Sequence, residues 1–123
     1  MDSDSYKNSV FYYQVGNDYL DKGHISEAIV NFNRSCDLYE HFKTHERLYS
    51  CYCMLGETEK AHKHIEYAHE LNSRNDKTAY LYSKSLISKG NTEKGKKILQ
   101  EILFRNPSYK KALEEIEKLR DEE

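Results

Sequence analysis

Residues 23–35 read GHISEAIVNFNRS, and related stretches recur as GETEKAHKHIEYA at 56–68 and as GNTEKGKKILQEI at 90–102. Each stretch begins with a glycine, has a small residue five positions later, and has a bulky apolar residue four positions after that. The glycines are 33 and then 34 residues apart. Self-similarity at this period is typical of stacked helical hairpins. The sequence therefore predicts an all-α solenoid of antiparallel helix hairpins.

Apolar residues at helical spacing predict seven helices. Tyr12, Val15 and Tyr19 mark one face of a first helix over about 10–22, behind a polar N-terminal segment 1–8. Pro107 breaks the chain, and a last, highly charged helix with a single apolar stripe is expected over 108–121. No segment shows the sustained alternation typical of strands. The side chains expected to cap helix N-termini are Thr58, Thr92 and Ser108.

The composition limits the classes of function. With 123 residues and a net charge of -2, the chain is the size of one small domain and lacks the basic excess typical of nucleic-acid binding. It has no apolar run long enough to span a membrane, and its acidic N-terminus is unlike a signal peptide. Three cysteines without a secretory signal favour free thiols. We therefore expect a cytoplasmic protein without nucleic-acid or membrane partners.

The repeated positions resemble tetratricopeptide repeats. The first repeat, about 9–42, has the aromatic, small and apolar positions of that family, and the second (43–75) and third (76–107) keep most of them. The resemblance implies a right-handed superhelical α-solenoid of three repeats plus a capping helix, forming one domain over 9–123. The matching residues are Tyr12, Val15, Gly16, Tyr19, Gly23, Ala28 and Phe32, then Leu48, Tyr52, Gly56, Ala61 and Ala68, then Tyr82, Leu86, Gly90 and Pro107.

Some positions depart from the family pattern. The small position held by Gly16 is occupied by Tyr49 in the second repeat and Ser83 in the third. Gly95 stands where alanine is usual, and glycine inside a helix costs about 1 kcal/mol relative to alanine. We therefore expect Gly95 to weaken the sixth helix.

The resemblance implies that the first helix of each hairpin lines a concave, peptide-binding groove. The residues expected on that face include three cations and no acid, which favours an acidic or carboxylate-ended protein segment as partner. Tyrosines among them could anchor such a segment. The predicted groove residues are Tyr13, Gln14, Asn17, Arg47, Ser50, Met54, Lys77, Tyr80, Leu81 and Lys84.

Some relatives hold the terminal carboxylate of a chaperone with five polar residues. Of those five positions, Asn17 and Lys77 match, whereas Tyr13, Arg47 and Leu81 differ. A chaperone peptide is therefore a weaker expectation than protein binding in general. Two alternatives stay open: a self-associating scaffold that forms homo-oligomers, and a module excised from a larger regulator or chaperone.

No motif indicates catalysis, a cofactor or a metal. The chain has no phosphate-binding loop, nucleophile elbow or zinc-protease motif. Cys51 and Cys53 lie near His62 and His64 in the sequence, but residues two apart on a helix point in nearly opposite directions. One member of each pair would face away from a shared ion. We therefore predict a non-enzymatic protein with no cofactor.

Overall fold

The computed structural model describes residues 3–122, which form seven α-helices and no strand. The all-α prediction is confirmed. No helix among the described residues is long and apolar enough to cross a membrane. The helices are α1 (Ser3–Asp21), α2 (Ile25–Leu38), α3 (Phe42–Met54), α4 (Thr58–Leu71), α5 (Asp76–Ser88), α6 (Thr92–Arg105) and α7 (Lys110–Asp121).

The chain forms two compact units, Met1–Leu71 and Asn72–Glu123. In the first unit α1 packs against α2, α2 against α3, and α3 against α4. In the second unit α5 packs against α6, and α6 against α7. Within each unit, helices that follow one another in the chain thus pack against each other, as short connections favour.

The glycine that begins each repeated stretch ends a helix. Gly23, Gly56 and Gly90 have φ values of 79°, 74° and 91°, a left-handed conformation that glycine adopts without steric cost. At the first of them, the Gly23 N–H donates to Leu20 O and the His24 N–H to Tyr19 O, both at 2.9 Å. The same two bonds recur after α3 and α5. These bonds satisfy the last carbonyls of each helix and turn the chain into the next one.

The first helix begins earlier than its apolar spacing predicts. Residues 3–8 of the expected polar segment are helical, and residues 1 and 2 lie outside the described part. Packing against α2 explains the extension: the Ser35 hydroxyl donates to Ser9 O at 2.8 Å, and the Tyr6 and Tyr39 rings meet edge to face at 5.3 Å. These contacts are polar or aromatic, so an apolar pattern does not detect them.

The three predicted capping side chains are each displaced. Thr58 and Thr92 are the first residues inside α4 and α6, and Asn91 holds the N-cap position of α6. The last helix begins at Lys110 rather than 108, because the Ser108 hydroxyl bonds to Asn106 Oδ1 instead of capping the helix.

The core of the first unit is built on Phe32, which is fully buried between α1 and α2. A Cβ added to Gly16 would lie 2.6 Å from Phe32 Cε1, so the ring occupies the space that only glycine leaves. Around Phe32 lie Ala28, Leu48 and Cys51, all buried. Gly16 on α1 and Ala28 on α2 are small and let the two helices approach closely.

The second unit has its own close approach, between α5 and α6. A Cβ added to Gly95 would lie 2.6 Å from Ile87 Cγ1 and 2.9 Å from the Ser83 carbonyl oxygen. The close packing of α5 and α6 therefore favours glycine at position 95, an effect that opposes its low helix propensity. The hairpin buries an apolar core comprising Ala79, Tyr82, Leu86, Ile98, Leu99 and Ile102.

Candidate functional site

The predicted groove residues of the first unit lie on α1 and α3. Arg47 Nε donates to the Tyr13 hydroxyl at 3.4 Å, which joins the two helices through side chains. Asn17 lies one turn along α1 from Tyr13, and its side chain also lowers the pKa of that hydroxyl. Gln14 is exposed on α1 and Ser50 is half-buried on α3. Met54 is exposed at the end of α3, so the structure brings three of these six residues together.

Electrostatics around Tyr13 favour a negative charge. Burial alone would raise the pKa of the Tyr13 hydroxyl, but the hydrogen bond from Arg47, the nearby Asn17 side chain and the charges of Arg47 and Lys43 lower it below its ordinary value. A lowered phenol pKa reports a local field that stabilises an anion. Arg47 and Lys43 are both exposed, so an anionic group from solvent can reach them.

The predicted groove residues of the second unit lie on α5. The Tyr80 ring has two ammonium groups near it, Lys84 Nζ at 5.9 Å and Lys111 Nζ at 5.7 Å from its centroid. It also meets the Tyr109 ring at 6.3 Å. Lys77 is exposed and Leu81 is half-buried. Tyr80 therefore contacts the start of α7, which the sequence pattern did not predict.

Lys84 is committed to an ion pair within the second unit. Its Nζ lies 3.3 Å from Glu115 Oε1 on α7, and Glu115 is only 8% exposed. Burial would lower the pKa of Lys84, but the neighbouring Tyr80 and Glu115 raise it above its ordinary value. Lys84 is therefore a structural link between α5 and α7 as well as a surface cation.

A cleft of about 160 Å³ opens next to Tyr13, and the sequence pattern did not predict it. Its walls come from the N-terminal half of α1, the end of α2 and the start of α3. The spacing of Tyr6, Val10 and Tyr13 (i, i+4, i+7) is a helical pattern that could have indicated its α1 wall. The lining residues are Tyr6, Ser9, Val10, Tyr13, Ser35, Tyr39, His41, Lys43 and Thr44.

A pair of histidines joins α3 and α4. The Nδ1 atoms of His45 and His64 are 3.0 Å apart, and His45 Nε2 lies 3.1 Å from Glu40 Oε1. A carboxylate only accepts hydrogen bonds, so Nε2 of His45 carries a hydrogen, and one further hydrogen lies between the two Nδ1 atoms. Burial, with a smaller contribution from His45, lowers the pKa of His64 to about 4.

The cysteines and histidines weighed as a metal site do not converge. Cys51 is buried while Cys53 is exposed, as opposite faces of a helix require. Within residues 3–122, no group of three His, Cys, Asp or Glu side chains could hold a metal ion.

Solved structures similar to this chain are tetratricopeptide repeat (TPR) domains. The first TPR domain of Spaghetti (RPAP3), bound to the HSP90 peptide SRMEEVD, is 20% identical with a TM-score of 0.80, covering 94% of this chain and 95% of that one. The Arabidopsis OM64 TPR domain is 14% identical with a TM-score of 0.81, covering 97% and 99%. The chain has the TPR fold.

A third TPR structure, the second domain of human RPAP3 with the HSP70 peptide SGPTIEEVD, is 18% identical with a TM-score of 0.80 and covers 94% of this chain and 98% of that one. No protein-family model and no curated protein matches the sequence. In the TPR fold α1, α3 and α5, which carry the predicted groove residues, are the first helices of their hairpins.

Proposed function

We propose that this TPR chain is a non-catalytic module that binds an acidic or carboxylate-ended segment of another protein. The observation that carries the proposal is the contact of Tyr13, Asn17 and Arg47, with Lys43 close enough to lower the pKa of Tyr13. A guanidinium can bind a carboxylate with two parallel hydrogen bonds, which makes Arg47 the principal contact. Preformed helices reduce the entropy lost when a peptide binds.

Two similar structures support this class of partner. The peptides bound to Spaghetti and to the second human RPAP3 domain both end in EEVD, which is rich in carboxylates. This chain has Arg47 and Lys43 on α3, next to Tyr13 on α1. We therefore assign the first unit, through Arg47 and Lys43, as the carboxylate contact.

Selection from a library of random peptides with free carboxyl ends tests the proposal. The purified chain should enrich peptides rich in Asp and Glu, and Arg47→Glu should weaken binding of a selected peptide about tenfold or more. Lys63→Glu makes the same change of charge at an exposed position on α4 and should bind normally. Lys84 is unsuitable for this test because its substitution would also disturb Glu115.

Two results would count against this function. One is a selection that returns no peptides, or peptides without acidic residues. The other is a selected peptide whose affinity is equally affected by Arg47→Glu and Lys63→Glu, since the contact would then lie elsewhere. Circular dichroism of both variants should match that of the parent chain, so that a folding defect is not mistaken for a binding defect.

A further inference from the structure

The cleft next to Tyr13 has a floor whose polar groups are already paired. The Ser9 hydroxyl donates to Ser35 O at 3.0 Å, and the Ser35 hydroxyl donates to Ser9 O at 2.8 Å. Polar groups that are paired with each other gain little from a polar ligand. The floor therefore supplies shape, and does not require a hydrogen-bonding occupant.

The walls of this cleft are aromatic and aliphatic. Tyr6 and Tyr39 meet edge to face at 5.3 Å, and Val10 lies one turn beyond Tyr6 on α1. Tyr6 is 46% exposed and Val10 is 37% exposed, so part of this apolar surface contacts water. Covering it would remove apolar surface from water, which is favourable. The interior thus suits an apolar group.

The size of the cleft fits a single side chain. A protein cavity of about 150 Å³ with apolar walls accommodates benzene, and this cleft measures about 160 Å³. It is therefore large enough for one aromatic ring or one bulky aliphatic side chain, and too small for a folded element.

The rim of the cleft is cationic. Lys43 lines it, and Tyr13, which Arg47 contacts, forms part of its wall. His41 also lines the cleft, but burial and the nearby Lys43 lower its pKa and favour the neutral ring. A peptide whose apolar side chain enters the cleft would place its neighbouring residues near Lys43 and Arg47. Carboxylates at those neighbouring positions would complete the charge pairing.

We propose that this cleft is a side-chain pocket that receives one aromatic or bulky aliphatic residue of the bound segment, with acidic residues flanking it. The inference rests on the proposed function and makes it more specific: the partner is an acidic segment with an apolar anchor. Buried apolar anchors surrounded by polar contacts carry much of the energy of protein interfaces.

Filling the cleft tests the proposal in the same peptide selection. Val10→Trp adds a ring at the cleft wall, whereas Val30→Trp adds the same ring at an exposed position on α2 that does not line the cleft. The parent chain and Val30→Trp should select peptides with an aromatic, Leu, Ile or Met residue next to Asp or Glu. Val10→Trp should still enrich acidic peptides, but its enrichment of peptides with an apolar residue next to Asp or Glu should fall about fivefold or more.

The outcomes separate the pocket from the wider function. Equal apolar enrichment by all three proteins, alongside acidic enrichment, would overturn the pocket and leave the peptide-binding function standing. If the parent chain selects no acidic peptides, the proposed function fails, and a small probe then decides the pocket independently.

That probe is hydrocinnamate, a phenyl ring carrying a carboxylate, added to ¹⁵N-labelled protein. It should shift the amide signals of Ser9, Tyr39 and Thr44, and hydrocinnamyl alcohol, which lacks the charge, should shift them less at equal concentration. Val10→Trp should abolish the response, whereas Val30→Trp should keep it. Shifts scattered over the surface, or unchanged in Val10→Trp, would overturn the pocket.

Discussion

A single proton decides the state of the His45–His64 pair. With one hydrogen between the two Nδ1 atoms, the 3.0 Å contact is a hydrogen bond, and Glu40 accepts the other hydrogen of His45. Full protonation of both rings would place two N–H groups and two positive charges face to face. The rings of Tyr52 and Tyr67 pack on the pair and limit its access to water. The neutral form of His64 is therefore part of the folded state.

The first prediction follows from the lowered pKa of His64. Its folded value is about 4, against 6.5 for the free side chain, so below pH 6.5 the unfolded chain binds a proton that the folded chain does not. The free energy of unfolding should therefore fall as the pH drops from 6.5 to about 4, and this contribution should level off below. We expect the free energy of unfolding to fall by about 2 kcal/mol. This is less than the full pKa difference of His64 would give, because the ring is only partly buried.

Urea unfolding at several pH values measures this loss. His64→Phe keeps a ring against Tyr52 but cannot titrate, so its stability should change less over the same range. Groups away from position 64 are common to both proteins, so their contributions cancel in the difference. Identical pH slopes for the two proteins would show that His64 is not the group responsible.

At the scale of the element, the α5–α6 hairpin illustrates packing that overrides helix propensity. Gly95→Ala should stabilise an isolated helix by about 1 kcal/mol. In the hairpin the added methyl meets Ile87 and the Ser83 carbonyl oxygen, and overpacking of this kind costs about 1–3 kcal/mol. We expect Gly95→Ala to lower the free energy of unfolding, measured by chemical denaturation.

A double mutant locates the cause. Ile87→Ala removes the side chain that the added methyl would meet. The double variant should therefore lose less free energy of unfolding than the sum of the losses in Gly95→Ala and Ile87→Ala alone. The Ser83 carbonyl is backbone and cannot yield in the same way. A stabilising Gly95→Ala would mean that the two helices separate readily.

The last helix is held by both apolar and ionic contacts. Ala112 and Leu119 of α7 are buried, and Glu115 between them accepts ion pairs from Lys84 at 3.3 Å and Lys118 at 3.4 Å. Breaking a pair around a buried carboxylate is costly because the remaining charge keeps its desolvation penalty. The Lys84 contact thus ties α7 to α5.

We therefore predict that Lys84→Glu loosens α7 locally. Amide hydrogen exchange in α7 should accelerate about tenfold, while α1 and α2 in the other unit stay protected. Lys110→Glu makes the same charge change at an exposed residue of α7 itself and should have little effect. Equal acceleration by both substitutions would indicate a general charge effect rather than loss of the Glu115 contact.

At the scale of the whole molecule, the fold could be predicted from the sequence because the sequence is periodic. Three glycines at regular spacing predicted three helix ends, and the apolar residues behind them predicted the buried faces of α2, α4 and α6. The early start of α1 was not readable, since Tyr6 and Ser9 are fixed by Tyr39 and Ser35, about thirty residues away, and not by a local pattern.

The candidate site could be predicted only in part, because some of its contacts join residues that are far apart in the sequence. Periodicity placed Tyr13, Asn17 and Arg47 on first helices of hairpins, and the structure brings them into contact. Periodicity did not reveal that Glu115 engages Lys84, nor that a cleft opens next to Tyr13, because both depend on contacts between helices. The periodic pattern predicts which helix a residue lies on. The contacts of that residue with neighbouring helices depend on individual side chains and do not follow from the pattern.

The helix-ending glycines have a consequence for chirality. A Cβ added at Gly23, Gly56 or Gly90 would meet nothing within 4 Å, so these turns exclude other residues through backbone handedness alone. The positive φ that burdens an L-residue is the ordinary conformation of its mirror image. A chemically synthesised chain with D-alanine at these sites would keep its turns while restricting the unfolded chain. Each of these turns thus requires a left-handed backbone conformation, and glycine is the genetically encoded residue that adopts it without steric cost.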